Sequence, residues 1–287
     1  MAVRQLPTPP LSDEFAEAYD AVLRQWPVPV EQFDLPSAYG TTHVNACGPR
    51  DAPPLFLLHG VGATSTVWFA NVGELSAAHR IYAVDIIGDA GRSVHDGKPI
   101  KAPGDLMDWL DTVLRGLDLE STDICGHSYG AWLALSYAVH APGHVRRLAL
   151  LDPTQCFAGF TAACLRRAVP QLLWPSAART RSYLDWETGG AQLDPAWHRL
   201  MLLGAQFPKS KIVPGHKLSA QQLRTLEMPT LVLLAELSKT HDIRRVEANG
   251  RTSFGQAAFA TLPGASHHTL PTKPAAELNQ RLIEFLG

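Results

Sequence analysis

The sequence predicts an α/β domain: a mostly parallel sheet flanked by helices, with a helical cap inserted into it. Three observations carry this. Short apolar runs alternate with helical patterns from about residue 38 to 152 and again from 228 to 287, and strand alternating with helix gives a parallel sheet covered on both faces. The rhythm breaks over 153–227, which holds several helical stretches and no clear strand. Finally, Gly126-His127-Ser128-Tyr129-Gly130 joins an apolar run to a segment that is apolar nearly all round.

Residues 12–26 read as a helix. Ser12 suits an N-cap, and Asp13 and Glu14 suit a first turn. Phe15, Ala18, Tyr19, Val22, Leu23 and Trp26 recur at helical spacing and make one apolar face. The proline-rich "WPVPVEQFDLP" ends it. Residues 1–37 are therefore expected to form an N-terminal helical extension.

The apolar runs "PLFLLHG" (54–60) and "IYAVDIIG" (81–88) read as buried strands. Residues 104–117 read as a helix, with Leu106, Trp109, Leu110, Val113, Leu114 and Leu117 on one face. "TDICGHS" (122–128) is a strand running into a turn, and 129–141 is a buried helix stopped at Pro142-Gly143. "VRRLALLD" (145–152) and "PTLVLLAE" (229–236) are two more strands. Residues 274–286 read as a last helix, with Pro274 near its first turn. The core is thus 38–152 with 228–287, and the cap is 153–227.

The cap carries Arg166, Arg167, Arg179, Arg181, Arg199, Lys209, Lys211, Lys217 and Arg224 against Asp185, Glu187, Asp194 and Glu227. Such an excess describes a solvated surface, or, in a sharper reading, a preference for acidic substrates. Trp174, Trp186, Trp197 and Phe207 suggest an apolar pocket wall.

Composition narrows the function classes. The chain has 287 residues, 46% hydrophobic and 18% charged, as expected of a globular protein with a sizeable core. A net charge of −2 offers no field for nucleic acid or an anionic membrane. No apolar run approaches a membrane span, and "MAVRQLPTPPLSDEF" has no apolar h-region. Cys47, Cys125, Cys156 and Cys164 show no paired spacing, which fits a reducing compartment. The expectation is a cytoplasmic protein with no nucleic-acid or membrane partner. No His/Asp/Glu cluster has ligand spacing, so no metal is expected, and no cofactor is called for.

The serine motif carries the chemistry. A nucleophilic serine on a sharp strand-to-helix turn sits in a strained backbone geometry, crowded by the strand and the helix. Glycines at 126 and 130 remove side chains from that crowd. The turn aims Ser128 at the carboxyl end of the sheet, at a helix N-terminus where amides stabilise developing negative charge. The Tyr129 amide is one candidate for an oxyanion hole. The Val61 amide, in "LLHGVGATSTVW" (57–68), is the other. His59 and His127 are read as orienting residues rather than bases.

With these motifs in view, residues from about 40 to 287 resemble the α/β-hydrolase fold superfamily. The resemblance rests on "HGVGAT", on "DIIGDAGRS" (85–93), on "GHSYG" and on "LPGASHHTLP" (262–271). The second stretch looks like the D-x-x-G-x-G-x-S turn of the family with one residue inserted. That form, with "DLMDWLDTVLRGLDLES" after it, is similar to bacterial carboxylesterases of the superfamily. Asp85 then ends a strand and supports the turn, and neither it nor Asp89 competes for a catalytic role.

The resemblance implies a base in the loop before the last helix. The family pattern G-x-G-H aligns with Gly264-Ala265-Ser266-His267, which points to His267, with His268 as runner-up. It also implies an acid a few residues after the strand 229–235, in a stretch like G-E-x-D. Here that stretch is Ala235-Glu236-Leu237-Ser238, and Ser238 cannot supply the charge. Asp152, at the end of the preceding strand, is where some dehalogenases and lipases of the superfamily carry their acid. It is the preferred reading, with Asp242 and Glu236 as alternatives.

The implied activity is hydrolysis of a carboxylic ester through an acyl-enzyme. A thioesterase, lactonase or acyltransferase on the same residues, or a non-catalytic ligand-binding protein on this fold, are the alternatives. The oligomeric state is left open.

Overall fold

The computed structural model describes residues 12–208 and 213–287. The first eleven residues of the expected N-terminal extension, and Lys209 and Lys211 of the cap, lie outside the described residues.

Helix α1 (Asp13–Leu23) starts where expected, with the Ser12 hydroxyl accepting the Phe15 amide at 3.3 Å. Its buried stripe of Phe15, Ala18, Tyr19 and Val22 is the one the periodicity marks. The chain then departs from the helical extension expected for residues 1–37. Residues Glu31–Ser37 form β1, which pairs antiparallel with β2 (Gly40–Cys47) through a tight turn at Ala38-Tyr39. Proline tolerates only an edge position in a ladder, and Pro36 sits on the sheet's edge strand.

The remaining core strands are β3 (Pro54–Leu58), β4 (Arg80–Val84), β5 (Thr122–His127), β6 (Val145–Leu151), β7 (Thr230–Ala235) and β8 (Ala258–Leu262). They make one eight-stranded sheet in the order β1-β2-β4-β3-β5-β6-β7-β8. β2 runs antiparallel to β4, and every pairing from β4 to β8 is parallel. The strand β8 was not read from the sequence. Its residues alternate poorly and are half-exposed, because it closes the opposite edge.

Strand alternation divides the core into two layers. Phe56 and Leu58 belong to one apolar cluster, and Leu55 and Leu57 to the other. The first cluster packs under α3 (Pro103–Gly116) and α4 (Tyr129–His140), after which α2 (Val72–Leu75) and α1 contribute to the second. α4 is buried along nearly its whole length, which explains why it reads apolar all round.

Between β6 and β7 the chain forms α5 (Ala162–Leu173), α6 (Ala177–Thr188), α7 (Pro195–Gly204) and α8 (Ala220–Leu223). No residue described in 153–227 is in a strand. The insertion also meets α1, where the Phe15 and Phe207 rings lie 4.8 Å apart. After β7 come α9 (Ile243–Ser253) and α10 (Ala275–Leu286), the last flanked by Pro274 as its preceding residue. No described helix is long and apolar enough to cross a membrane.

Candidate active site

Ser128 stands between the last residue of β5 and the first of α4, with φ 57° and ψ −116°. That is forbidden ground for most side chains, and it persists only where surroundings over-determine it. The surroundings are tight. A Cβ at Gly126 would lie 2.3 Å from the Gly130 carbonyl oxygen, and one at Gly130 would lie 2.3 Å from that of Leu58. The Ser128 amide is fixed by the Leu151 carbonyl at 2.9 Å.

The loop between β8 and α10 brings His267 to this serine. His267 Nε2 lies 2.8 Å from Ser128 Oγ, and its Nδ1 lies 2.5 Å from Asp152 Oδ2. All three residues are buried, Asp152 fully. Asp152 follows β6 with a strained φ of 41°, its amide held by the Leu233 carbonyl at 2.7 Å.

The carboxylate of Asp152 is enclosed by donors. Oδ1 accepts the Ala235 amide at 3.0 Å and His241 Nε2–H at 2.9 Å. Oδ2 accepts His267 Nδ1–H and the Ser238 hydroxyl, the latter at 2.8 Å. Ser238, where the resemblance leads one to look for an acid, is thus a donor to the aspartate of the neighbouring strand. Burial pushes the Asp152 carboxyl upward. The charge and hydrogen bonds of His241 and His267 outweigh burial and hold it well below the usual carboxylate range. His267 itself is lowered by burial, against the raising effect of Asp152, so the ring is neutral and its Nε2 is free to accept a proton near neutral pH.

Glu236 and Asp242 are not brought to His267. Glu236 is exposed and accepts the Gly264 amide at 2.8 Å. Asp242 caps α9, accepting the Arg244 and Arg245 amides at 3.0 and 3.2 Å. His268 pairs with Glu187 instead of Ser128. His59 donates from Nδ1 to the Gly60 carbonyl and accepts the Ile86 amide at Nε2, bracing two rim loops. His127 donates from Nε2 to the His267 carbonyl at 2.9 Å. Burial and the neighbouring His267 and His268 lower it well below the ordinary imidazole range, which keeps it a neutral donor.

Tyr129 is the first residue of α4, where an amide has no intrahelical carbonyl to meet. Val61 follows the end of β3, and its amide has no partner among the described residues. Asp89 fixes that loop by accepting the Gly62 amide at 2.7 Å. Asp85 is buried and accepts the Ser65 and Arg92 amides, as the turn reading expects. Beside Val61 and Tyr129 lies a cavity of about 30 Å³, walled largely by Ile86, Ile87, Ile100, Leu106 and Val213.

The aromatic wall expected in the insertion does not form. Trp174 is exposed, Trp197 is buried among helices, Phe207 packs on Phe15, and Trp186 lies under the Arg167 guanidinium at 4.4 Å. The described basic side chains of the insertion do not line the cavity either. Arg166, Arg179, Arg181, Arg199, Lys217 and Arg224 are exposed.

Two site residues were missed from the sequence: His241 and Glu187. His241 precedes a helix cap, and nothing in its local pattern distinguishes it from a loop histidine. Glu187 sits on α6 and accepts hydrogen bonds from the loop that carries His267, across 80 positions of chain.

Residues 55–281 match the family described as the alpha/beta hydrolase family. Among curated proteins, the chain is 28% identical to carboxylesterase YbfK of Bacillus subtilis, over 95% of this chain and 93% of that one. The crystal structure of that carboxylesterase, also called CesB, superposes with a TM-score of 0.88, covering 95% of this chain and 96% of that one at 28% identity. The naproxen esterase (carboxylesterase NP) of Bacillus subtilis superposes with a TM-score of 0.89, at 28% identity, covering 97% of this chain and all of that one.

Proposed function

The chain belongs to the alpha/beta hydrolase family, and from that premise we propose that it is a serine carboxylesterase acting on a small uncharged ester. Ser128 is the nucleophile, His267 the base and Asp152 the acid. The observation that carries the reading is the continuous chain of hydrogen bonds from Ser128 Oγ through His267 to Asp152. The resemblance to carboxylesterases over most of the chain supports the ester as substrate.

The reaction runs as follows. His267 Nε2 removes the Ser128 proton as Oγ attacks the ester carbonyl, forming a C–O bond and a tetrahedral oxyanion. The Val61 and Tyr129 amides stabilise that oxyanion. Asp152 holds the Nδ1–H tautomer and stabilises the imidazolium. Collapse breaks the bond to the alkoxy group, which takes the proton from Nε2 and leaves as an alcohol. Water, deprotonated by His267, then attacks the acyl-enzyme and releases the acid and Ser128. The cavity beside Val61 and Tyr129 is small and mostly apolar, far below the size of a drug-sized ligand site, and it suits a short uncharged group beside the carbonyl.

Intact-mass analysis with a serine-directed fluorophosphonate tests the nucleophile. The wild type should gain one adduct and Ser128→Ala none. An adduct that persists in the Ala variant moves the nucleophile elsewhere. A wild type that takes none removes the hydrolase reading.

A further inference from the structure

We propose that Glu187, on helix α6 of the insertion, is a positioning residue for the His267 base, holding the backbone of the 266–268 turn so that the ring reaches Ser128. The proposal rests on the hydrolase reading of Ser128 and His267.

Burial sets Glu187 apart. Of the four acids of the insertion, Asp185 and Glu227 are exposed, Asp194 is half-buried and caps α7, and Glu187 alone is fully buried. A buried carboxylate is strongly destabilising unless donors surround it. Here most of the donors come from one turn. Oε1 accepts the His267 amide at 3.0 Å. Oε2 accepts the His268 amide at 3.1 Å, His268 Nδ1–H at 3.1 Å and the Ser266 hydroxyl at 3.1 Å. An ion pair with His268 alone would need only the ring. The two successive amides instead make Glu187 a clamp on the main chain, at the residue whose side chain meets the nucleophile.

The clamp is itself anchored. Lys239, just past β7, donates its amide to Glu187 Oε1 and its ammonium to the Trp186 carbonyl. On the opposite side, His127 donates to the His267 carbonyl. The peptide of the base is therefore gripped at its amide by the insertion and at its carbonyl by the nucleophile turn. Burial pushes the Glu187 carboxyl upward, but the His268 hydrogen bond and the charges of His268 and His267 bring it down to about 2, so it stays ionised over the working range. A displacement of about 1 Å at a reacting group costs on the order of 10²-fold in rate, so loosening this turn should appear in kcat.

The charge has a second effect. The groups facing the His267 ring are Asp152, His241, Glu187, His268 and His127. Burial disfavours the protonated ring; Asp152, and after it Glu187, favour it, and His268 opposes it. Removing the Glu187 charge lowers the pKa of His267, so the acid limb of kcat/KM moves to lower pH.

The test is Glu187→Gln with p-nitrophenyl acetate, with melting temperature and wild-type phosphonate labelling run alongside. The expected result is a fall in kcat of about 10²-fold, KM little changed, and an acid limb at lower pH. If Glu187→Gln does not fold, Glu187→Asp keeps the charge and shortens the reach. It should lose roughly 10-fold or more in kcat with the acid limb in place. A folded Glu187→Gln, or failing that a folded Glu187→Asp, with wild-type kcat and acid limb overturns the proposal. Lowered melting temperature with unchanged kinetics overturns it too, leaving a structural role only. A wild type that neither labels nor hydrolyses the ester fails the hydrolase reading instead, which keeps the two failures apart.

Discussion

At the residue scale, Asp152 depends on the donors that surround it. His241 is buried, and its Nδ1 has no partner among the described residues. The ring serves Asp152 as an Nε2–H donor. His241→Phe should leave Asp152 with one donor fewer. A carboxylate with fewer donors is more basic and holds the His267 imidazolium more firmly. The pKa of His267 then rises, and the acid limb of kcat/KM moves to higher pH, opposite to the shift expected for Glu187→Gln. The lost hydrogen bond to a buried charge should also lower stability by about 1–3 kcal/mol. A pH profile of the variant beside the wild type checks the sign, and an unmoved limb contradicts it. Ser238 teaches the same lesson from the sequence side. Its identity declared only that the expected acid was missing. Its role as a donor to Asp152 depends on two neighbouring strands lying side by side, which no local pattern records.

At the element scale, the nucleophile turn is set by what is absent from it. Gly126, the last residue but one of its strand, lies against the main chain of Gly130, with no room for a methyl group. Gly126→Ala should therefore push α4 off β5 and lose well over 1–3 kcal/mol, the usual cost of overpacking, because the obstacle is backbone rather than a mobile side chain. Chemical denaturation of Gly126→Ala against wild type measures this, and a variant of wild-type stability would show that the turn has slack. These glycines were legible because strand, glycine, serine, glycine and buried helix follow one another in sequence. The edge strands were not. β1 carries Pro36 and alternates only between half-buried and exposed positions, and β8 is short and half-exposed. A central parallel strand is buried on both faces and reads as an apolar run, whereas an edge strand has no such signal. The insertion read as helical because helical stretches and the lack of a strand run are local signals, and its helices start at local caps: Thr161, Ser176, Asp194 and Ser219 each accept an amide at a helix start. Its aromatic residues misled because a tryptophan's composition value says nothing of which side of a helix it faces.

At the scale of the whole molecule, topology assembles the site. β5, β6 and β7 are neighbouring parallel strands, so their carboxyl ends share one rim. Ser128 leaves the first, Asp152 the second, and Ser238 follows the third, while His267 returns in the loop after β8. The order of these strands cannot be read from any one of them. What could be read was that a strand-end aspartate stood on the same rim as the serine while the usual acid position was empty. If Asp152 is the acid, two variants differ. Asp152→Asn should keep the fold and lose about 10⁴-fold in kcat, because the base is left in the wrong tautomer. That is about 5 kcal/mol of transition-state stabilisation. Asp242→Asn keeps the Oδ1 that caps α9, since asparagine caps as well as aspartate, and should turn over ester near the wild-type rate. The most direct test is kcat of these two variants with p-nitrophenyl acetate at pH ~8, above the titration of His267, which lies below the ordinary imidazole value of about 6.5. A crippled Asp152→Asn beside an active Asp242→Asn is the predicted result, and an active Asp152→Asn beside a crippled Asp242→Asn contradicts the account.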